Sequence, residues 1–250
     1  MWGAVILYFR WVPAPVLVIQ PDADAPPARL AEWAGSEGLT LVVVRPFLGE
    51  TLPTSTAGFS ALVVLGGHMG AYEDARHAWL GQVKQLIADA TVQERPFLGV
   101  CLGHQLAAVA LGGVVALRPE GPARGMTAVL PTPKLPDDAV FSALPVGART
   151  MQWNGDVVAD LPTGATLLTT DGLGHPQTVR YGPQAWGVQC HPEVGFDEVS
   201  GWIATERSSS TGLSAAELGE LAAELPEELE EMASQWGPAI RRFFALAAGR

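Results

Sequence analysis

Phe97-Leu98-Gly99-Val100-Cys101-Leu102-Gly103-His104-Gln105 runs from an apolar strand-like segment through Gly-x-Cys-x-Gly directly into a helical one. So abrupt a turn exposes the residue at its apex, and the flanking glycines let strand and helix approach closely. It also places the Cys101 sulfur at a helix N-terminus, whose partial positive charge favours thiolate over thiol. The backbone N–H of Leu102 then points to where an oxyanion would form. Alone, the pattern more often describes a structural thiol beside a tight turn. The strand before it and the helix after it raise the reactive reading above that one.

Outward from this elbow, short apolar runs alternate with longer helical stretches. The runs are Val16 to Ile19, Leu39 to Val44, Ala61 to Leu65 and Phe97 to Val100. Between them lie Pro27 to Glu37 and Asp74 to Gln93, the latter with Trp79, Val83, Leu86 and Ile87 at helical spacing. Leu106 to Leu111 follows the cysteine and ends at Gly112 and Gly113. The alternation predicts an α/β fold, an open doubly wound and mostly parallel sheet with helices on both faces. From Val114 to about Gln189 the texture changes to short strands, among them Thr127 to Leu130, Thr166 to Thr169, Thr178 to Tyr181 and Ala185 to Gln189, which suit antiparallel pairing at one sheet edge. Beyond Ser208 a capping box of Ser214 with Glu217, then Pro226, then Gly237 with Pro238, predict three short helices. They would pack through Leu218, Leu221 and Leu225, then Leu229, Met232 and Trp236, then Ile240, Phe243 and Phe244. The expected organisation is an N-terminal extension over residues 1–14, one main domain over 15–207, and a helical appendage over 208–250 packed on the same domain.

Bulk composition narrows the function classes. With 250 residues, 48% of them hydrophobic and 16% charged, the chain can close a substantial core. A net charge of -11 gives no clustered Lys and Arg to meet phosphates, which argues against nucleic acid or an anionic membrane as partner and leaves a small molecule or a protein. Seven glutamates and no Lys or Arg lie between Ser214 and Trp236, and a solvated acidic face explains them. Two cysteines cannot build a disulfide framework, and a free thiol suits a reducing cytoplasm. Met1 to Val12 is apolar, but its one charge, Arg10, sits near the far end, so it lacks the basic start of a secretory signal. It reads as an extra strand, a disordered tail or an upstream start. Arg10, Pro13 and Pro15 keep any run below the roughly 18 apolar residues of a membrane span.

A thiol nucleophile needs a base within hydrogen-bond reach, and the base needs an orienting group. Trp186-Gly187-Val188-Gln189-Cys190-His191-Pro192-Glu193, at the end of an expected strand, offers both. His191 and Glu193 are two apart, so extended geometry around Pro192 brings them out on the same side. Imidazole and carboxylate can then pair, fixing the tautomer and stabilising the imidazolium. Cys190, next to the base, should point the opposite way and pack into the core.

Together the two segments resemble the class I glutamine amidotransferases, whose pattern is Gly-x-Cys-x-Gly-x-Gln followed far downstream by His-Pro-Glu. The resemblance covers about Val16 to Ile203 and implies a flavodoxin-like fold and a Cys101–His191–Glu193 triad. It implies that Cys101 attacks the side-chain amide of glutamine, that a γ-glutamyl thioester forms, and that ammonia and then glutamate leave with His191 shuttling protons. No cofactor and no metal are implied. Val63 to Asp74 resembles the family's oxyanion loop, with Gly67 supplying the second N–H beside that of Leu102 and Gly66 preceding it in the substrate pocket. Gln105 matches the glutamine that holds the substrate's amino-acid end. Gln152-Trp153-Asn154-Gly155-Asp156 resembles the segment lining the far side of the pocket, which brings Asn154 and Asp156 to the substrate. Asn154 stands where members similar to this one usually carry His, which implies altered affinity or regulation.

His68, Asp74 and His77 show no recognisable metal-ligand spacing. Neither a Gly-x-x-x-x-Gly-Lys loop nor a Ser-Gly-Gly-x-Asp-Ser loop is present, so the chain should not itself activate anything with ATP. The leading expectation is a free-standing glutaminase, similar to the amidotransferase half of GMP synthase, that makes ammonia for a synthetase partner acting in trans. Two alternatives are a solitary hydrolase of another γ-glutamyl amide or peptide, and a degenerate member kept as a regulatory or binding module.

Overall fold

A computed structural model of the chain describes residues 13–207 and 215–250. Four short apolar runs form the expected parallel strands: β1 (Val16–Ile19), β2 (Leu41–Val44), β3 (Ala61–Val64) and β4 (Phe97–Val100). Three helices connect or follow them, α1 (Arg29–Ser36), α2 (Trp79–Val92) and α3 (Leu102–Ala110). The chain then passes through β5 (Val114–Leu117), β6 (Ala123–Ala128), β7 (Leu130–Pro131), β8 (Arg149–Asn154), β9 (Asp156–Asp160), β10 (Thr166–Thr170), β11 (Pro176–Gly182) and β12 (Ala185–Val188). It closes with α4 (Phe196–Arg207) and α5 (Ala215–Ala247).

The main sheet has the order β2-β1-β3-β4-β12-β11-β10-β7. Pairing is parallel from β2 through β12 and antiparallel from β12 to β7, so β12 joins the two halves. Strand period decides the faces. Val16 and Val18 of β1 point into a core shared with Leu30 and Trp33 of α1, Trp202 of α4 and Trp236 of α5. Leu17 and Ile19 point into the opposite core, with Leu80, Val83 and Ile87 of α2 and Leu106 of α3. Helices therefore cover both faces, α1, α4 and α5 on one and α2 and α3 on the other. Two outlying ribbons, β5–β9 and β6–β8, are each antiparallel.

Three expectations need correction. Thr127 to Leu130 is not one strand: β6 ends at Ala128 and pairs with β8, whereas β7 begins at Leu130 and joins the main sheet. Between them Val129, which is buried, donates its N–H to the Ala148 carbonyl at 2.9 Å, in register with the last β6–β8 pair, Ala128 with Arg149. The tail is not three short helices, because α5 runs unbroken through Pro226, Gly237 and Pro238. Leu225, Leu229, Met232, Trp236, Ile240, Phe243 and Phe244 form one continuous buried stripe. Both prolines sit on the exposed side, where water can meet a carbonyl deprived of its donor, and burial of the stripe outweighs the cost of each, about 3 kcal/mol in a helix interior. Finally, the sequence reading did not resolve β5, β8 and β9 as strands, nor α4 as a helix. Ser214 and residues 1–12, on which the capping box and the N-terminal reading fall, lie outside the described residues.

Candidate active site

In an open α/β sheet the crevice for a ligand lies beyond the C-terminal ends of the strands. Here three neighbouring strands, β3, β4 and β12, deliver Gly66 and Gly67, Cys101, and His191 to that edge. Cys101 has φ 49 and ψ -103, a conformation L side chains rarely adopt, and its N–H donates to Val188 O at 2.8 Å. The strain is over-determined by packing of the kind that persists at functional turns. A Cβ on Gly99 would come 2.5 Å from the Gly103 carbonyl carbon, and one on Gly103 would come 2.0 Å from Val64 O. These two glycines are what allow α3 to lie against β3 and β4 and hold the thiol up at its N-terminus.

His191 is fixed from several sides. Its N–H donates to Met151 O at 2.9 Å, tying it to β8, and its Nδ1 meets Glu193 Oε1 at 2.8 Å. The Glu193 carbonyl in turn accepts from the first N–H of α1, Arg29, at 3.0 Å. The Cys101 sulfur faces the same imidazole and bears on its charge. A Cβ on Gly66 would touch His191 Cε1 at 3.1 Å and Cys101 Cβ at 3.7 Å, so thiol and imidazole close over this glycine together. Burial works against charge on His191, but the Glu193 carboxylate and the Cys101 sulfur facing it win, and its pKa rises to about 10. Thiol, imidazole and carboxylate in series can move a proton off sulfur and keep it on a buried imidazolium. Cys190 is fully buried instead, and desolvation pushes its thiol up to about 12, which keeps it protonated and inert.

The remaining expected residues gather around the thiol. Gly67 packs on the Leu102 side chain, with a hypothetical Cβ 3.2 Å from Leu102 Cδ2. Gln105 donates to Asp156 O at 3.2 Å and to Gln189 Oε1 at 3.3 Å, while Gln189 Nε2 stands 3.7 Å from Cys101 Sγ. Asn154 Nδ2 donates to Asp156 O at 2.9 Å, and its Oδ1, sealed from solvent, has no partner among the described residues. Burial, with the Glu73 charge adding to it, raises the Asp156 carboxyl. A pocket of about 320 Å³ opens over Cys101, with Gln105, Asn154 and Asp156 on its wall. At its rim His68 Nδ1 meets Asp22 at 2.9 Å, and that hydrogen bond draws the Asp22 carboxyl down to about 2. Asp74 instead pairs with Lys84, so His68 and Asp74, weighed above as metal ligands, are engaged separately.

Sequence reasoning placed Trp153 on the pocket wall, within Gln152 to Asp156, but missed the residues packed on it. Trp202 of α4 stands edge-on to the His191 ring at 4.8 Å between centroids, Trp153 of β8 packs on Trp202 at 5.6 Å, and the Arg124 guanidinium of β6 lies 4.9 Å from the Trp153 ring centre. The β6–β8 ladder sets Arg124 directly opposite Trp153. Neither ribbon nor helix announces this: Arg124 sits in Ala-Arg-Gly with no motif around it, and Trp202 lies on a helix whose apolar spacing is weak.

The chain matches the family model described as glutamine amidotransferase class-I over residues 31–200. It is 32% identical to the glutamine amidotransferase-like protein YfeJ of Salmonella typhimurium, covering 69% of this chain and 72% of that protein. It is 26% identical to γ-glutamyl peptidase 4 of Arabidopsis thaliana over 56% of this chain and 55% of that one. To one subunit of the glutamine-hydrolysing GMP synthase of Saccharolobus solfataricus it is 30% identical, over 56% of this chain and 70% of that subunit. Among solved structures, a glutamine amidotransferase from Thermotoga maritima superposes with a TM-score of 0.81 at 28% identity, covering 95% of this chain and 99% of that one.

Proposed function

The chain belongs to the class I glutamine amidotransferase family, and on that premise we propose that it hydrolyses the side-chain amide of glutamine through a thioester on Cys101. One observation carries the reading: Cys101, His191 and Glu193 gather where three adjacent strands end, the imidazole facing the Cys101 sulfur and lying 2.8 Å from Glu193. Cys101 Sγ attacks the amide carbon, and the oxyanion is met by the N–H groups of Leu102 and Gly67. His191 passes its proton to the departing nitrogen, the C–N bond breaks, and ammonia leaves. Water, deprotonated by His191, then opens the thioester and frees glutamate. Glu193 orients the imidazole and balances its charge. Gln105, Asn154 and Asp156 hold the amino-acid end. The ammonia would serve a synthetase acting in trans, as the GMP synthase relative is by name one subunit of a larger enzyme.

Ammonia release from glutamine by the purified chain, with mass spectrometry of the trapped γ-glutamyl enzyme, tests this. Cys101→Ala should abolish both signals and Cys190→Ala should leave them near wild type. Inactivation of a folded Cys190→Ala protein while Cys101→Ala stays active would overturn the assignment.

A second reading keeps the thioester and takes a γ-glutamyl peptide as substrate. What favours it is the pocket, which continues past Cys101 along Trp153 and Trp202 to Arg124. Rapid turnover of γ-glutamyl peptides beside negligible turnover of glutamine decides for it.

A further inference from the structure

The leaving nitrogen must depart on the side from which its proton comes, and that side is His191. Outward from His191 the wall consists of Trp202, then Trp153, then Arg124, each packed on the last. Ammonia needs none of them. The small cavity where Cys101, His191, Trp153 and Trp202 meet already has a volume of about 40 Å³, enough for so small a leaving group. The larger pocket shares Cys101 and both tryptophans with it and carries on to Arg124.

Arg124 stacks on Trp153 and pairs at long range with Glu206, which leaves part of its guanidinium without a hydrogen bond. Its Nη1 donates to the carbonyl of Ala123 at 2.9 Å, whereas Nη2 keeps a long ion pair of 3.8 Å with Glu206 that a ligand carboxylate would have to share. Its Nε, closed off from solvent, has no hydrogen-bond partner among the described residues. Nε and Nη2 together form the edge with which a guanidinium grips a carboxylate through two parallel N–H bonds. A buried donor left unmet is costly, and a turn of the guanidinium, which belongs to a residue lining the pocket, would bring Nε to a ligand there.

We propose that Arg124, backed by Trp153 and Trp202, is a subsite for the leaving group, and that it selects γ-glutamyl amides whose amine component is an amino acid, with Arg124 gripping that component's carboxylate. The inference rests on the thioester reading above. Sulfur forms its bond to the γ-carbon, the C–N bond breaks, the nitrogen takes the proton of His191, and the amino acid leaves with its carboxylate still paired to Arg124 until it diffuses away. The tryptophan faces pack against its side chain.

The test compares γ-glutamyl-phenylalanine with γ-glutamyl-phenethylamide, which differ by that one carboxylate. The wild-type chain should show a kcat/KM ratio of about tenfold or more in favour of the carboxylate, the scale expected for a charge-assisted hydrogen bond. Arg124→Met should bring the ratio to near one. A wild-type ratio near one overturns the subsite without recourse to any variant. A ratio unchanged in Arg124→Met, with both substrates slowed alike, overturns it too, since Arg124 would then act on the glutamyl half that both share. Turnover of glutamine with neither amide cleaved sinks the subsite alone, whereas failure on all three sinks the thioester reading with it.

Discussion

Cys101 holds a backbone conformation that only a close-packed turn maintains, and His191 holds a proton that burial alone would remove. The second balance depends on one carboxylate. Desolvation lowers the His191 pKa, while Glu193, 2.8 Å away, and the sulfur raise it to about 10. In Glu193→Gln burial keeps its full strength and the carboxylate's opposing charge is gone, so the value must fall. The imidazolium that protonates the leaving nitrogen is present below the His191 pKa and lost above it. The alkaline limb of the kcat/KM profile should therefore lie near pH 10 in the wild type and move down in the variant, with kcat/KM reduced about 10²-fold by the weaker proton transfer. A pH–rate series from 6 to 10.5 on both proteins checks this, and an unmoved alkaline limb would separate Glu193 from the proton on His191. The same sign governs stability: His191 contributes below its unfolded value of about 6.5, and that contribution is lost as pH rises through about 10. These residues were legible in sequence because each sits in a short motif whose chemistry depends on local backbone. Arg124 and Trp202, which pack on Trp153, were not, because what joins them is a ladder and a helix packing across long separations in the chain.

At the scale of elements, the strand–turn–helix formed by β4 and α3 depends on how closely the helix may approach the sheet. Gly103→Ala would set a methyl group 2.0 Å from Val64 O, a backbone atom of the neighbouring strand that cannot swing aside. We expect a loss of at least about 3 kcal/mol in urea unfolding, at the upper end for overpacking. Gly172→Ala, whose Cβ meets nothing within 4 Å, should change stability by less than about 0.5 kcal/mol. Equal effects would mean that the elbow is not close-packed. The parallel strands were readable because each is a short buried run flanked by turns, and the antiparallel edge because its strands carry Thr and aromatic residues. The ribbons of β5, β6, β8 and β9 were harder, since their strands mix exposed and buried positions without clean alternation. In α5 local rules misled: proline and glycine signal a stop, but a buried stripe from Leu225 to Phe244 overrides them.

For the whole molecule, that stripe changes what the C-terminal region is expected to do. Leu225, Leu229, Met232, Trp236, Ile240, Phe243 and Phe244 are each at most 1% exposed, and Trp186 of the central sheet packs edge-on against Phe243. Burying one such side chain is worth roughly 1.5 to 3 kcal/mol. Seven of them together match or exceed the roughly 5 to 15 kcal/mol by which a whole domain is stable. The helix also reaches the site: Trp236 Nε1 donates to Arg149 O at 2.9 Å, and Met151 N lies 3.3 Å from Met232 Sδ, both on β8. That strand supplies the carbonyl of Met151 that anchors His191, along with Trp153 and Asn154 of the pocket. A chain ended at residue 224 should therefore fail to fold, giving no cooperative unfolding transition and binding a hydrophobic dye. Trp236→Ala is a graded form of the same test. It should cost about 3 to 5 kcal/mol by removing a large buried side chain, and it should lower kcat in the fraction that remains folded by loosening β8 beneath His191. A truncated chain that unfolds cooperatively with wild-type activity would instead make α5 a detachable appendage, and would return the support of His191 to the sheet alone.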